Sequence, residues 1–221
     1  MIKGNAPSSA SGSPATDGPC IYVIDDDQSV RDALSSLFRS VGYRIQLFGS
    51  TAEFIQAKRP DVNSCLVLDI RLPGVSGLDL QSHLNREQIA IPIIFMTGHG
   101  DIPMSVRAMK AGAIDFLSKP FRDQDMLDAV ANALEADRKR RDADQSVSAV
   151  RAAFETLTAR EREIMKFVTS GLMNKQVAGK LGLSEITVKI HRANVMKKMA
   201  CQSLADLVRM AELLGLNTPK V

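Results

Sequence analysis

Cys65-Leu66-Val67-Leu68-Asp69 is the stretch on which the fold turns. Four small or apolar residues in succession end on a single carboxylate. The run is too short for a helix and does not alternate with polar residues, so it reads as a strand buried on both faces. Four further runs lie around it, at residues 21–24, 44–48, 91–96 and 113–117, and those at 21–24 and 91–96 read as doubly buried too. Helix signals separate them. Ser50-Thr51-Ala52-Glu53 is a capping box. Asp101 precedes Ile102-Pro103, which puts a proline in a first helical turn. Gly112 suits a helix C-terminus. Five strands alternating with five helices predict a parallel sheet with helices on both faces.

In such a sheet, ligands bind beyond the carboxyl ends of the strands. Asp25 and Asp26 follow the first strand, Asp69 ends the third, Thr97 ends the fourth, and Lys119-Pro120 follows the fifth. One topological rule therefore gathers three carboxylates, a hydroxyl and an ammonium. Three carboxylates in one place repel one another and require a cation, and Mg²⁺ takes oxygen ligands of this kind. A carboxylate is also a nucleophile toward phosphorus. Mg²⁺ and Lys119 would neutralise the phosphoryl oxygens, and the Thr97 hydroxyl would donate a hydrogen bond to them. Asp69 stands alone at the central strand end and is the candidate nucleophile, while Asp25 and Asp26 form a pair suited to the metal. Taken singly, each residue has a plainer use. Acids favour a helix N-terminus, and Asp27 is assigned there.

After residue 122 the pattern is helical to about residue 141 and then becomes small and polar over 142–149. A second capping box, Thr158-Ala159-Arg160-Glu161, opens an all-helical segment, with helices predicted near 159–170, 174–181, 185–199 and 203–214. Gly182-Leu183-Ser184 is a tight turn between two of them, at helix-turn-helix spacing. On the second helix Val188, Arg192, Val195 and Met199 share one face. Ile186, Lys189, Ile190, Ala193 and Lys197 share the other, and that mixture of lysine and apolar groups suits a major groove. Thr187, near the helix start, suits a phosphate. The same spacing also serves protein contacts within helical bundles.

Charge divides along the same line. Residues 1–136 carry 12 Lys and Arg against 16 Asp and Glu, whereas residues 151–221 carry 12 against 6. An acidic front and a basic back suit different partners, nucleic acid among them for the second. The 221 residues are 45% hydrophobic and 24% charged, which excludes a disordered, collagen-like or coiled-coil chain. The apolar stretch 89–96 is broken by Pro92 and too short to span a bilayer, so no membrane is expected. No basic segment followed by an apolar core opens the chain, so no secretory signal is expected either. Cys20, Cys65 and Cys201 are far apart and odd in number, which argues against disulfides and for a cytoplasmic protein with reduced thiols.

Residues 20–140 resemble the receiver domain of bacterial two-component response regulators. The matching pieces are Val23-Ile24-Asp25-Asp26-Asp27, Leu66-Val67-Leu68-Asp69-Ile70-Arg71-Leu72-Pro73-Gly74, Phe95-Met96-Thr97-Gly98 and Asp115-Phe116-Leu117-Ser118-Lys119-Pro120-Phe121. Thr97-Gly98-His99-Gly100-Asp101-Ile102-Pro103-Met104 is similar to the FixJ branch. Residues 155–215 resemble the four-helix LuxR-type DNA-binding domain, through Leu157-Thr158-Ala159-Arg160-Glu161-Arg162-Glu163 and Gly171-Leu172-Met173-Asn174-Lys175-Gln176-Val177-Ala178. The resemblance implies a flavodoxin-like α/β receiver joined to an all-α helix-turn-helix domain. Its expected division is a disordered tail over 1–19, a receiver over 20–137, a helical tail and linker over 138–152, the DNA-binding domain over 153–216 and a tail over 217–221.

The resemblance further implies Asp69 as phosphoacceptor, Mg²⁺ held by Asp25, Asp26, Asp69 and the Arg71 backbone carbonyl, and a cis Lys119–Pro120 bond. Thr97 and Phe116 resemble a switch pair, with Phe116 turning inward as Thr97 moves toward the phosphoryl group. Lys189, Ile190 and Ala193 would face bases, while Asn174, Lys175, Thr187 and Lys197 would contact phosphates. A sensor histidine kinase would supply the phosphoryl group. The added charge would bias the face formed by residues 102–117, leading to a homodimer or releasing an inhibitory contact. Double-stranded DNA and RNA polymerase are the further partners expected. The receiver would catalyse only its own phosphotransfer and dephosphorylation, so the protein is not expected to be an enzyme. An aspartyl-phosphate phosphatase usually has a second acid two residues after its nucleophile, and here that residue is Arg71. A ligand-sensing LuxR regulator would need an apolar pocket, against which the acidic strand ends argue. His99 is expected to be a loop residue beside the site.

Overall fold

The computed structural model describes residues 18–98 and 102–216. Most of the expected N-terminal tail, the 217–221 tail, His99 and the Asp101 helix start lie outside the described residues. The chain divides into two units, Met1–Arg140 and Arg141–Val221.

In the first unit, strands β1 (Cys20–Ile24), β2 (Arg44–Phe48), β3 (Ser64–Asp69), β4 (Ile93–Thr97) and β5 (Asp115–Ser118) form one parallel sheet in the order β2-β1-β3-β4-β5. Helices α1 (Gln28–Ser40), α2 (Thr51–Gln56), α3 (Gly77–Arg86), α4 (Ile102–Lys110) and α5 (Asp123–Glu155) alternate with the strands. The three central strands, β1, β3 and β4, are buried along their whole length, as their uninterrupted apolar runs predict. The two-residue period of each strand then sorts its side chains. Tyr22, Leu66 and Phe95 face a cluster with Phe54, Leu80 and Ala108 of α2, α3 and α4. Val23, Val67 and Met96 face Leu34 and Phe38 of α1 and Met126 and Val130 of α5. Helices therefore cover both faces of the sheet.

Some boundaries differ from the sequence expectation. Strand β4 pairs from Ile93 rather than residue 91, because Pro92 has no N–H to give a ladder and contributes only its carbonyl, to Leu66. Strand β5 spans Asp115–Ser118, where the sequence predicts 113–117. At the Ser50 cap, Glu53 returns its carboxylate to the Gly49 N–H, one residue before the cap position of the expected box.

The largest difference concerns residues 138–152. The sequence predicts a fading helix and a linker, and the structure has unbroken helix to Glu155. No glycine or proline interrupts 142–149, and a helix that is polar on all sides is tolerated where solvent surrounds it and ion pairs line it. Immediately before that stretch, Arg138 pairs with Glu135, and Arg140 with Asp137. Buried Asp137 also accepts the N–H of Ser64 at 3.0 Å, which ties α5 to the start of β3.

In the second unit, α6 (Ala159–Thr169), α7 (Asn174–Leu181), α8 (Glu185–Lys198) and α9 (Leu204–Leu213) follow. Thr158 and Glu161 complete the expected capping box. Ile164, Met165, Val177, Val188, Val195 and Leu207 form the centre of a separate core. Gly182 ends α7 in the left-handed region at φ 63°, the conformation glycine adopts at least cost, and Ser184 caps α8 by accepting the Thr187 N–H.

Candidate functional site

The parallel register sets the carboxyl ends of four strands in one row. Ile24 pairs with Leu68, Asp69 with Met96, and Thr97 with Ser118. Asp25, Asp69, Thr97 and Lys119 thus emerge at the same edge, as the strand-end rule predicts. Lys119 Nζ donates to Asp25 Oδ2 at 2.6 Å and to Asp69 Oδ2 at 2.8 Å. The second oxygen of each carboxylate takes a main-chain N–H from two residues later. Asp27 gives its N–H to Asp25 at 2.9 Å, and Arg71 gives its N–H to Asp69 at 3.0 Å. Both acids are therefore oriented by the same device, a lysine on one oxygen and a local amide on the other.

Burial differs within the group. Asp25, Asp69 and Thr97 are buried, and Asp26 is exposed. Burial pushes the Asp25 carboxyl above the usual carboxylate range, against the opposing pull of Lys119. Burial also draws Lys119 down, but its hydrogen bonds to Asp25 and Asp69 more than reverse this, and the ammonium is held above its ordinary range. Carboxylate oxygens of Asp25, Asp26 and Asp69 lie within 4.8 Å of one another. Three hard oxygen donors, one open to solvent, fit a divalent cation that keeps part of its water shell.

The remaining receiver residues fall around this centre. The Thr97 carbonyl accepts the Lys119 N–H at 2.7 Å, and the Lys119–Pro120 peptide is cis. Half-buried Phe116 lies on β5 opposite Phe95, packed against the cluster on the α2–α4 side of the sheet. The Arg71 side chain is exposed, and its amide holds Asp69. Sequence reasoning overlooks two residues here. Arg31 of α1 donates to the Asp25 main-chain carbonyl at 2.5 Å. Gly77, the first residue of α3, leaves no space for a side chain, since a Cβ there would stand 2.5 Å from the Asp69 carbonyl oxygen and 3.0 Å from Ile70 Cα. The available signal was a glycine in the first turn of a helix, where it has no conformational advantage.

In the second unit, α8 presents the face expected of it. Lys189, Ile190, Ala193 and Lys197 are exposed, with Ile186 at 71% and Ile190 at 58% exposure. Val188, Val195 and Met199 are buried, and half-buried Arg192 donates to Asn174 Oδ1 at 3.1 Å. Lys175 is exposed. Thr187 is half-buried, with its hydroxyl 2.8 Å from that of Ser184. Asn174 and Thr187 therefore sit at the starts of α7 and α8 with protein partners already in place, and Lys189 lies 3.7 Å from Glu185.

An acidic centre at the ends of a parallel sheet, followed by a helix-turn-helix with an exposed apolar and basic face, has clear counterparts. Residues 21–131 match the response regulator receiver domain, and residues 155–211 match the luxR family of bacterial regulatory proteins. The chain belongs to the two-component response regulators. This response regulator is 62% identical to Nodulation protein W of Bradyrhizobium diazoefficiens over 89% of its own length and 87% of that protein's. It is 43% identical to the transcriptional regulatory protein FixJ of Azorhizobium caulinodans, over 88% of this chain and 92% of FixJ. The solved structure of the response regulator StyR resembles it with a TM-score of 0.80 at 48% identity, covering 88% of this chain and 98% of that one. The regulator thus joins a receiver to a LuxR-type DNA-binding domain, and its activity is phosphorylation-activated regulation of transcription. Among the described residues, no helix is long and apolar enough to cross a membrane.

Proposed function

We propose that Asp69 accepts a phosphoryl group from a sensor histidine kinase in the cytoplasm, with Mg²⁺ as cofactor, and that this drives dimerisation and sequence-specific DNA binding through α8. The observation that carries the reading is the Lys119 ammonium shared between Asp25 and Asp69. A nucleophilic carboxylate must be approached by an anionic phosphoryl group, and a fixed cation beside it offsets that repulsion in advance. An Asp69 oxygen forms the new bond to phosphorus while the bond from phosphorus to the donor's imidazole nitrogen breaks. Arg71 N–H holds the second Asp69 oxygen and so aims the attack.

Asp25, Asp26, Asp69 and the Arg71 carbonyl would hold Mg²⁺, which supplies positive charge to the phosphoryl oxygens when bound. Lys119 then exchanges a carboxylate oxygen for a phosphoryl oxygen, and the Thr97 hydroxyl turns to donate a second hydrogen bond. Phe116 fills the space Thr97 leaves, and the change passes to the α4–β5 face, where two phosphorylated copies pair. An apolar groove lined by Val30, Leu34, Leu37, Pro120 and Phe121 runs beside Lys119 and offers the donor domain a footing. The protein acts on itself alone, by accepting and losing the phosphoryl group, and is not an enzyme toward other substrates.

On α8, Lys189, Ile190 and Ala193 face the bases. Lysine reaches guanine acceptors, and the two apolar residues touch thymine methyl groups. Asn174, Lys175, Thr187 and Lys197 contact phosphates and fix the register. A dimer reads two half-sites about 34–36 Å apart or a multiple of that, and RNA polymerase is the partner such a DNA-bound dimer meets. The test is a phosphate-affinity gel with acetyl phosphate and Mg²⁺, comparing wild type with Asp69→Ala. The wild-type band is retarded and the variant band is not. Equal retardation of both, or of neither under any metal, contradicts Asp69 as the acceptor.

A further inference from the structure

Glu161 is a carboxylate with only 3% of its residue surface exposed, in the first turn of α6. Its Oε2 accepts the Thr158 N–H at 2.8 Å, which completes the capping box. The same oxygen takes Lys198 Nζ at 2.7 Å. Lys198 is the last residue of α8, and its ammonium also lies 3.3 Å from the carbonyl of Thr156, in the turn between α5 and α6. Lys198 is exposed like its neighbour Lys197, but its ammonium is directed back onto the domain.

This matters for the reading helix. The start of α8 is held by the Ser184 cap, and its middle by Arg192 on Asn174 of α7. Its C-terminal end has buried Val195 and Met199 below, but apolar contact does not direct rotation about a helix axis in the way a directional bond does. The Lys198–Glu161 pair supplies that bond. A buried carboxylate left without its cation is costly, so the pair resists separation. Base-reading side chains need placement to about half an ångström, which the supporting residues must provide.

We infer that Glu161 and Lys198 are positioning residues for DNA reading, locking the C-terminal end of α8 to the α5–α6 turn so that Lys189, Ile190 and Ala193 meet the bases in one register. The inference rests on DNA binding by α8, and the experiment separates the two. A duplex is selected from a random pool with the phosphorylated full-length wild type. Affinity for that duplex and for a scrambled one is then measured across a salt series for wild type, Glu161→Gln, Lys198→Met, the double variant and Lys198→Arg.

Positioning predicts that each of Glu161→Gln and Lys198→Met lowers the selected-to-scrambled affinity ratio by about tenfold or more. It also predicts that the double variant falls no further than the singles, that Lys198→Arg recovers most of the ratio, and that the salt slope stays at the wild-type value. Lys198→Met weakening both duplexes equally while the slope falls by about one, with Glu161→Gln neutral, overturns the inference and makes Lys198 a phosphate contact. Wild-type ratios in every variant overturn it as well. Circular dichroism verifies folding, and should Glu161→Gln not fold, the contrast between Lys198→Met and Lys198→Arg decides. A wild type that selects no duplex removes the DNA-reading premise and the inference together.

Discussion

Asp25 and Asp69 each divide their oxygens between one lysine and one main-chain amide, so geometry at this centre depends on single atoms. Gly77 is the most exacting of the surrounding residues. Adding one methyl group pushes against the Asp69 carbonyl and Ile70 Cα, both of them backbone. Gly77→Ala is expected to destabilise the receiver by about 1–3 kcal/mol in urea unfolding, the usual range for overpacking. It should also slow acetyl-phosphate labelling of Asp69, since the clash falls on that residue's own backbone. An unaltered labelling rate at full stability would contradict the close approach. Glu161 gives a pH signature. Lys198 holds its carboxyl below the usual glutamate range. A depressed folded-state value contributes stability above the unfolded pKa, and that stability is lost as pH falls through the folded value. The melting-temperature gap between wild type and Glu161→Gln should therefore be full at neutral pH and close below the ordinary glutamate pKa of about 4.3.

At the scale of elements, legibility in the sequence follows the strength of the local pattern. The doubly buried strands could be read because four or five apolar residues in succession have no other economical use. Their ends locate Asp25, Asp69 and Thr97 by topology alone, and the end of the less buried β5 locates Lys119. Gly77 and Arg31 were not legible, because what makes each matter is a neighbour distant in sequence or a main-chain atom. The Glu161–Lys198 pair joins residues 37 apart, and no helical period connects them. The full length of helix α5 is not legible for a different reason. Residues 142–149 lack an apolar stripe, which is the periodic signal of a helix, although no residue there breaks one. Ser146→Pro tests this directly. In a continuous helix it costs about 3 kcal/mol, with a visible loss of circular dichroism at 222 nm, and in a linker it would be silent.

For the molecule as a whole, charge and fold agree on a division of labour. The acidic front holds the carboxylate centre, and the basic back presents α8. Removing one phosphate contact should weaken binding to all sequences alike. Lys197→Ala is expected to reduce the slope of log affinity against log salt by about one while leaving sequence preference intact. Ile190→Ala should do the opposite, relaxing preference at one base position with the slope preserved. Coupling between the halves is a free energy that a ligand on one must transmit to the other, typically worth 5- to 150-fold in affinity.

That coupling is measured most directly by titrating the selected duplex with full-length protein, with and without acetyl phosphate and Mg²⁺, for wild type and Asp69→Ala side by side. The account predicts that phosphorylation raises wild-type affinity by about tenfold or more while Asp69→Ala stays at the unphosphorylated value in both conditions. An equal rise in both proteins, or no rise in wild type whose Asp69 is fully labelled, would contradict it.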